Sequence, residues 1–251
     1  REYNDVTMNT HYPFYGEWLT ESGQYVHRWA INETCDSVVV LNLSFKHIIY
    51  VTEEGGGLRN GTSWENAFGS LKDATEYAGT HPSDLNQIWV AEGLYRGDGT
   101  SVNAFRLFPN TQMYGGLTGT ELADYDLSQR DIANHETILD GDYIQRVIYQ
   151  VEDCTADNPL IIDGFTIKNG FSRASVSNGT ALSLKRYATI RNCKITENYT
   201  NSGVEAIYMY NDDFESCDRR IIYNGPKGWG PRHFTFSEDG QFMYLINELG
   251  G

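Results

Sequence analysis

No apolar run in the chain approaches the roughly 18 residues that a membrane helix requires, so nothing in it reads as a transmembrane span. Basic residues are scarce: 19 Lys and Arg stand against 34 Asp and Glu, a formal net charge of -15. That balance argues against nucleic acid and against an anionic membrane surface as partners, because both reward Lys and Arg. An acidic surface suits cations or neutral sugars, although solubility alone accounts for it. Four cysteines (Cys35, Cys154, Cys193 and Cys217) in 251 residues do not make a disulfide framework. A Cys193–Cys217 or Cys154–Cys193 bridge is left open, with no support for either. There is no CxxC and no Cys/His cluster, so no metal site is expected. The six histidines are scattered, at His11, His27, His47, His81, His135 and His233. The turn Gly55-Gly56-Gly57 lacks the Gly-Lys-Ser/Thr and the immediate helix of a phosphate loop. The start at Arg1, without methionine or signal peptide, is what a processed or partial chain would show.

What is present favours an ordered, β-rich and turn-rich protein: 13% aromatic residues, among them 17 tyrosines, together with 25 glycines. The organising stretch is LIIDGFTIKNG at 160–170, which returns 28 residues later as ATIRNCKITEN at 188–198. Ile162 falls on Ile190, Gly164 on Asn192, Phe165 on Cys193 and Ile167 on Ile195. Apolar and polar positions alternate in both copies, the period of a strand with one buried face. A strand pattern recurring at 20 to 50 residues marks a solenoid. An upstream echo, ETILDGD at 136–142, places Leu139-Asp140-Gly141 over Ile162-Asp163-Gly164. Cys193, standing where Phe165 stands one repeat earlier, reads as a small buried hydrophobe. Asn169, Asn192 and Asn198 suit turns, since Asn tolerates left-handed backbone.

Around this centre the chain divides into three. Residues 1–45 read as short strands, with Tyr25-Val26-His27-Arg28-Trp29 alternating and Val38 to Leu43 a terminal strand. His27 reads as an ordinary strand histidine. Residues 46–215 carry the solenoid. Its first feature is GTSWENAFGSLKDATEYA, where Trp64, Phe68, Leu71, Ala74 and Ala78 recur at helical spacing and Thr62 with Glu65 forms a capping box. A helix over 62–78 is expected to cap the solenoid's open end, with Trp64 and Phe68 packed beneath it. Strands follow at 87–91, 104–107 and 111–116, and Val204 to Tyr210 would be a further rung. Residues 216–251 break the pattern with two strands and a tight turn.

Three resemblances bear on these parts. GEWLTESGQY leading to CDSVVVLNLSF resembles a small all-β repeat of secreted surface proteins of the Bacteroidota. That likeness implies a β-sandwich-like spacer on an exported, cell-surface protein, without catalysis. The series from 47 to 212 resembles the pectate-lyase-like, right-handed parallel β-helix proteins exported by the same bacteria, and it implies a cap helix followed by stacked coils. The tail, GPRHFTF-SEDG-FMYLINEL, resembles one blade of the seven-bladed propeller lactonases of the 6-phosphogluconolactonase type. In that family the Arg of GPRH and the Glu of NEL lie in the central site, which implies Arg232 and Glu248 here. The family's upstream histidine-rich motif is absent, and one blade cannot close a ring.

For polysaccharide lyase or hydrolase chemistry, carboxylates should converge on one face with a base beside them. Asp140, Asp142, Asp163 and Arg191 are the candidates. Asp140 and Asp163, aligned between coils, would stack one above the other, and aligned acids can bind Ca²⁺ through oxygen ligands. Polar coil turns show the same residues when they do nothing. The expectation is therefore an all-β, exported or surface-attached protein built on a truncated right-handed parallel β-helix. Its function would be structural or adhesive, towards polysaccharide or a cell surface, with no cofactor and no catalysis. The alternatives are a pectate-lyase-like enzyme with Asp140, Asp163 and Arg191 in its groove, and a fragment or fusion reporting a sugar lactonase.

Overall fold

A computed structural model describes residues 2–8, 11–21, 23–32, 35–81, 85–172, 179–200, 207–209, 233–236 and 243–246. The described residues are mostly β, with one α-helix. The N-terminal part holds β1 (Glu2–Met8), β2 (Tyr12–Phe14), β3 (Glu17–Leu19), β4 (Gly23–Asn32) and β5 (Cys35–Val51). β2 and β3 form an antiparallel hairpin, β4 is antiparallel to β5, and β1 is parallel to it. Leu19, Leu41 and Leu43 are buried together, with Val6, Tyr12, Phe14 and Tyr25 packed around them. The strands expected between Tyr25 and Trp29 and between Val38 and Leu43 are both made. The division expected at 45/46 falls inside β5. That 17-residue strand pairs with β4 through its first part and with the next strand through Lys46–Val51, so both parts share one sheet.

Beyond β5 the chain visits three parallel sheets in rotation. The helix α1 (Leu71–Thr80) comes first, followed by β6 (Leu85–Ala91), β7 (Gly93–Arg96) and β8 (Asn103–Leu107). The next circuit is β9 (Thr111–Leu117), β10 (Thr137–Asp140) and β11 (Arg146–Gln150), and the one after it β12 (Leu160–Asp163), β13 (Phe165–Lys168), the short β14 (Phe171–Ser172) and β15 (Leu182–Leu184). The last is β16 (Ala188–Arg191), β17 (Lys194–Thr196), β18 (Tyr199–Thr200) and β19 (Ile207–Met209). Sheet one stacks β5, β6, β9, β12 and β16; sheet two stacks β7, β10, β13 and β17; sheet three stacks β8, β11, β15 and β19.

Parallel pairing in register places like over like. In sheet one Ile49, Ile88, Met113, Ile162 and Ile190 lie one over another. Tyr95, Leu139, Ile167 and Ile195 do so in sheet two, and Phe105, Ile148, Leu182 and Ile207 in sheet three. These ladders meet in one hydrophobic interior, where each fully buried Leu or Ile stabilises the fold by about 1.5–3 kcal/mol. The 28-residue spacing is thus the register of the last two circuits: Ile162 pairs with Ile190 and Ile167 with Ile195. Cys193 lies in the interior beside Phe165, as expected of a small hydrophobe. It and Cys154 are free thiols, so the Cys154–Cys193 bridge left open by the sequence is not made; Cys217 lies outside the described residues.

The expected helix over 62–78 is divided. Trp64–Asn66 form a single 3-10 turn, capped by Ser63 rather than Thr62, whose hydroxyl donates instead to Asn60 Oδ1 at 2.8 Å. The chain then passes so close to residue 54 that a Cβ at Gly69 would stand 2.9 Å from the Glu54 carbonyl oxygen. Ser70 restarts the helix by accepting the Asp73 N–H. α1 buries Leu71, Ala74, Thr75 and Ala78, one face at helical spacing, and it lies against β5, β6 and β8. It so covers the first strand of sheet three, whose unpaired edge would otherwise be open. Lys72 pairs with Asp98, and Glu76 with Arg106 at 3.3 Å. Trp64 packs edge-on against Tyr50, and Phe68 joins the main core, so both side chains serve packing.

Of the asparagines, Asn169 and Asn192 adopt left-handed backbone, with φ of 55° and 52°. Asn198 does not; Glu197 takes that position, and Asn198 bonds the Gly170 N–H and the Ile167 carbonyl one coil below. The tail supplies β20 (His233–Phe236) and β21 (Met243–Ile246), an antiparallel pair as expected, with β20 antiparallel to β17 at the edge of sheet two. The described part of the Val204–Tyr210 rung is β19. Ile167→Ala should cost about 2–5 kcal/mol in urea denaturation through the cavity it leaves. Thr189→Ala, on an exposed position of β16, should stay within about 0.5 kcal/mol of the parent chain.

Candidate functional site

A second ladder runs along the outer face of sheet one. Tyr50, Trp89, Tyr114, Asp163 and Arg191 are consecutive partners across five strands. Its aromatic part is covered: Tyr50, Trp89, Tyr114 and Leu117 are buried with Ala67, and Trp64, Tyr125 and Leu127 pack over them. The cover comes from the connections before α1 and between β9 and β10. In the second connection, residues 118–136, a 3-10 turn at Leu127–Gln129 ends on Arg130.

Arg130 fastens that connection to the stack. Its Nε donates to the Leu127 carbonyl at 2.6 Å and its Nη1 to the carbonyls of Gly115 at 2.7 Å and Asp163 at 3.2 Å. Nη2 meets Asp163 Oδ2 at 3.0 Å, and the guanidinium lies over the Tyr114 ring. The Arg130 side chain is 4% exposed and that of Asp163 2%. Gly164, at φ 87°, makes room for this seat, since a Cβ there would stand 3.0 Å from Arg130 Nη1. Asp163 is further held by Arg191, whose Nε donates to Oδ2 at 2.7 Å, and by Asn192, whose Nδ2 donates to Oδ1 at 2.9 Å. One buried carboxylate thus carries three side-chain partners, the arrangement that makes burial of an anion tolerable. Burial pushes the Tyr114 hydroxyl up from its ordinary pKa, and the hydroxyl donates to Gln112 Oε1 at 3.0 Å.

Asp140 is elsewhere. It lies in sheet two, where its register partners are Arg96 below and Lys168 above. Its Oδ2 accepts from Arg96 Nη2 at 3.4 Å and its Oδ1 from the Asp142 backbone N–H at 2.8 Å. Asp142 itself is exposed, 3.9 Å from Arg96 Nε. The expected stacking of Asp140 and Asp163 is therefore not made. The similarity of TILDGD to LIIDGF matched a strand of sheet two to a strand of sheet one. Each acid instead stacks on a base, so the aligned pair of carboxylates imagined for Ca²⁺ is not assembled. Asp163 and Arg191 are brought together, in a structural ion pair. Among the described residues no group of three or more His, Cys, Asp or Glu is placed to hold a metal ion.

Beside this ion pair lies a cleft of about 180 Å³, between the end of the 118–136 connection and sheet two. Ile132, Phe165 and Gly164 give it an apolar side; Glu136, Thr166, Asn192 and Lys194 give it a polar one. Glu136 Oε1 accepts the Thr166 hydroxyl at 2.7 Å, and Lys194 is exposed. Arg130, Glu136 and Lys194 are site residues that no motif in the sequence marks. The signal for Arg130 was the length of the connection between β9 and β10, which needs an anchor; Lys194 stands over Thr166 in the 28-residue register.

The lactonase-type residues Arg232 and Glu248 lie outside the described residues. A family model described as lactonase, 7-bladed beta-propeller, matches residues 199–251, about a fifth of the chain. Within that segment β18 and β19 continue the parallel stack, pairing with β14 and β15, and among the described residues β20 and β21 form an antiparallel pair. Neither a curated protein nor a solved structure matches the chain. Among the described residues no helix is long and apolar enough to cross a membrane.

Asp163→Ala strands the Arg130 guanidinium and should lower stability in urea by about 3 kcal/mol, equally with calcium or chelator present. A calcium-dependent loss would instead make Asp163 an ion ligand. Burial pushes the Cys193 thiol up to about 12, whereas Cys35 is exposed. Iodoacetamide on the native protein should label Cys35 and spare Cys193, with labelling of Cys193 appearing only in denaturant, as read by peptide mass mapping.

Proposed function

We propose that the three-sheet stack is a right-handed parallel β-helix of the pectate-lyase-like kind, serving an exported or surface-attached protein as a carbohydrate-binding, adhesive scaffold. In this reading the N-terminal part is a spacer and the chain performs no catalysis. The cleft beside the Asp163 ion pair carries the proposal. It combines an apolar wall with hydrogen-bonding groups of both kinds, a carboxylate, hydroxyl, amide and ammonium, which is the make-up of a site for a polar, ring-shaped ligand. The charged residues that a lyase would need are engaged: Asp163 by Arg130 and Arg191, Asp140 by Arg96. That supports binding over bond cleavage.

One observation favours a second reading. The match over residues 199–251 supports a segment related to a propeller lactonase, in which Arg232 and Glu248 would act. The chain would then be a fusion or fragment around that segment.

The two readings separate in one set of assays. The binding reading expects retention on immobilised acidic or neutral polysaccharide, weakened about tenfold by Lys194→Ala or Glu136→Gln, without release of unsaturated uronate products. Turnover of a sugar lactone, lost in Arg232→Ala and Glu248→Gln, would transfer the function to the tail. Polysaccharide cleavage dependent on Asp163 or Arg191 would establish the lyase alternative.

A further inference from the structure

The hairpin of β2 and β3 covers only part of the sheet beneath it. Tyr12, Phe14 and Leu19 pack on Tyr25, Leu41 and Leu43, and the cover stops at the hairpin's tip. There Tyr15 and Gly16 both have positive φ, 46° and 91°, as in the mirror-image turns of two-residue hairpins. Asn, Asp or Gly usually fills the first of these positions, and a bulky side chain there is strained. The strained residue lays its ring flat on His27 of β4, with centroids 3.7 Å apart and planes at 8°. Trp29, two residues further and therefore on the same face, stands 5.6 Å from the His27 ring and 5.9 Å from Tyr15, tilted 44° to it. Ile31 continues the face. Tyr15 is 53% exposed, Trp29 41% and Ile31 65%.

Phe14, at the edge of the buried Leu19–Leu41–Leu43 cluster, supports the tip, its ring edge-on to Tyr15 at 4.9 Å and to His27 at 6.4 Å, while Tyr15, Trp29 and Ile31 stay largely exposed. His27 backs one side of the Tyr15 ring, and the residue keeps about half of its surface exposed. The result is a bent platform of two supported aromatic rings. We propose that it is a binding site for a neutral oligosaccharide, with the C–H faces of adjacent pyranose rings lying on Tyr15 and Trp29.

The size and charge of the patch select that ligand. An aromatic side chain buries about 150–250 Å² when fully covered, so the platform offers a few hundred Å² at most. A specific protein partner needs about 1,000 Å² or more. A second copy of this chain would also bring a further net charge of -15 against the first. A neutral sugar ring needs an open aromatic face and no counter-charge, and its hydroxyl edge stays in water. The proposal rests on the carbohydrate-binding reading for its ligand class, but it places this site on the N-terminal part, away from the cleft.

The test is calorimetric titration of the whole chain with cellohexaose, xylohexaose and mannohexaose. At least one should bind, with affinity falling about tenfold or more in Trp29→Ala. Tyr15→Asn is the sharper variant, because it relieves the turn: its melting temperature should hold or rise while binding falls by a similar factor. Lys194→Ala and Glu136→Gln should leave this binding within about twofold, so loss of binding at the cleft and loss at the platform are told apart. Absence of binding by all three sugars overturns the proposal. So does binding that survives both platform variants, or that is lost only in the cleft variants. Attachment to phosphatidylcholine vesicles, lost in Trp29→Ala without any sugar binding, would give the platform to a lipid surface instead.

Discussion

In-register parallel pairing is the constraint on which the rest of the structure depends. Each strand lies over its counterpart one circuit earlier, so a position is buried or exposed as a ladder rather than as a single residue. The three inner ladders satisfy this with Ile, Leu, Met, Phe and Tyr. The outer ladder of sheet one satisfies it in two ways. Tyr50, Trp89 and Tyr114 are buried beneath the long connections, and the next rung, Asp163, inherits a buried position with a charge on it. Arg130 resolves that conflict by reaching from the connection to both rungs, its guanidinium over Tyr114 and against Asp163.

The same constraint shapes what the surface can do. Acids that looked free in the sequence lie beside bases of the neighbouring circuit, Asp140 with Arg96 and Asp163 with Arg191. The groups proposed for a ligand are Lys194, an exposed rung over Thr166, with Glu136 beside it at the cleft, and the aromatic rings at the tip of the N-terminal hairpin. β5 links these regions mechanically, because one strand belongs to the N-terminal part and to sheet one. The two surfaces proposed for glycans would together suit adhesion, where several weak contacts held together bind more firmly than each alone.

At its other end the stack continues into the segment that matches a lactonase propeller. β18 and β19 keep the parallel register of β14 and β15, and β20 meets β17 antiparallel at one residue pair, Ile195 with Phe234. A closed propeller is built from several antiparallel blades around a channel. The described strands of residues 199–251 supply one antiparallel pair. The likeness rests on the sequence match over residues 199–251.

Some of this was determined by the sequence alone. Period-two alternation repeated after 28 residues is a local signal, and it carried the last two circuits, the inward Ile162, Ile167, Ile190 and Ile195, and the buried Cys193. Helical spacing located the cap, although not the break at Gly69, where the chain's approach to residue 54 decides the boundary. The partners of Asp163 were not legible, since the circuits differ in length and Tyr114 meets Asp163 only after the 118–136 connection has looped out. An alignment by similarity therefore paired Asp163 with Asp140, a residue of another sheet. Nor could spacing bring Tyr15 onto His27, because a hairpin had first to fold across the face of β4. Periodicity determines which residues point inward; only the closed tertiary path determines which side chains from distant circuits and loops come to touch.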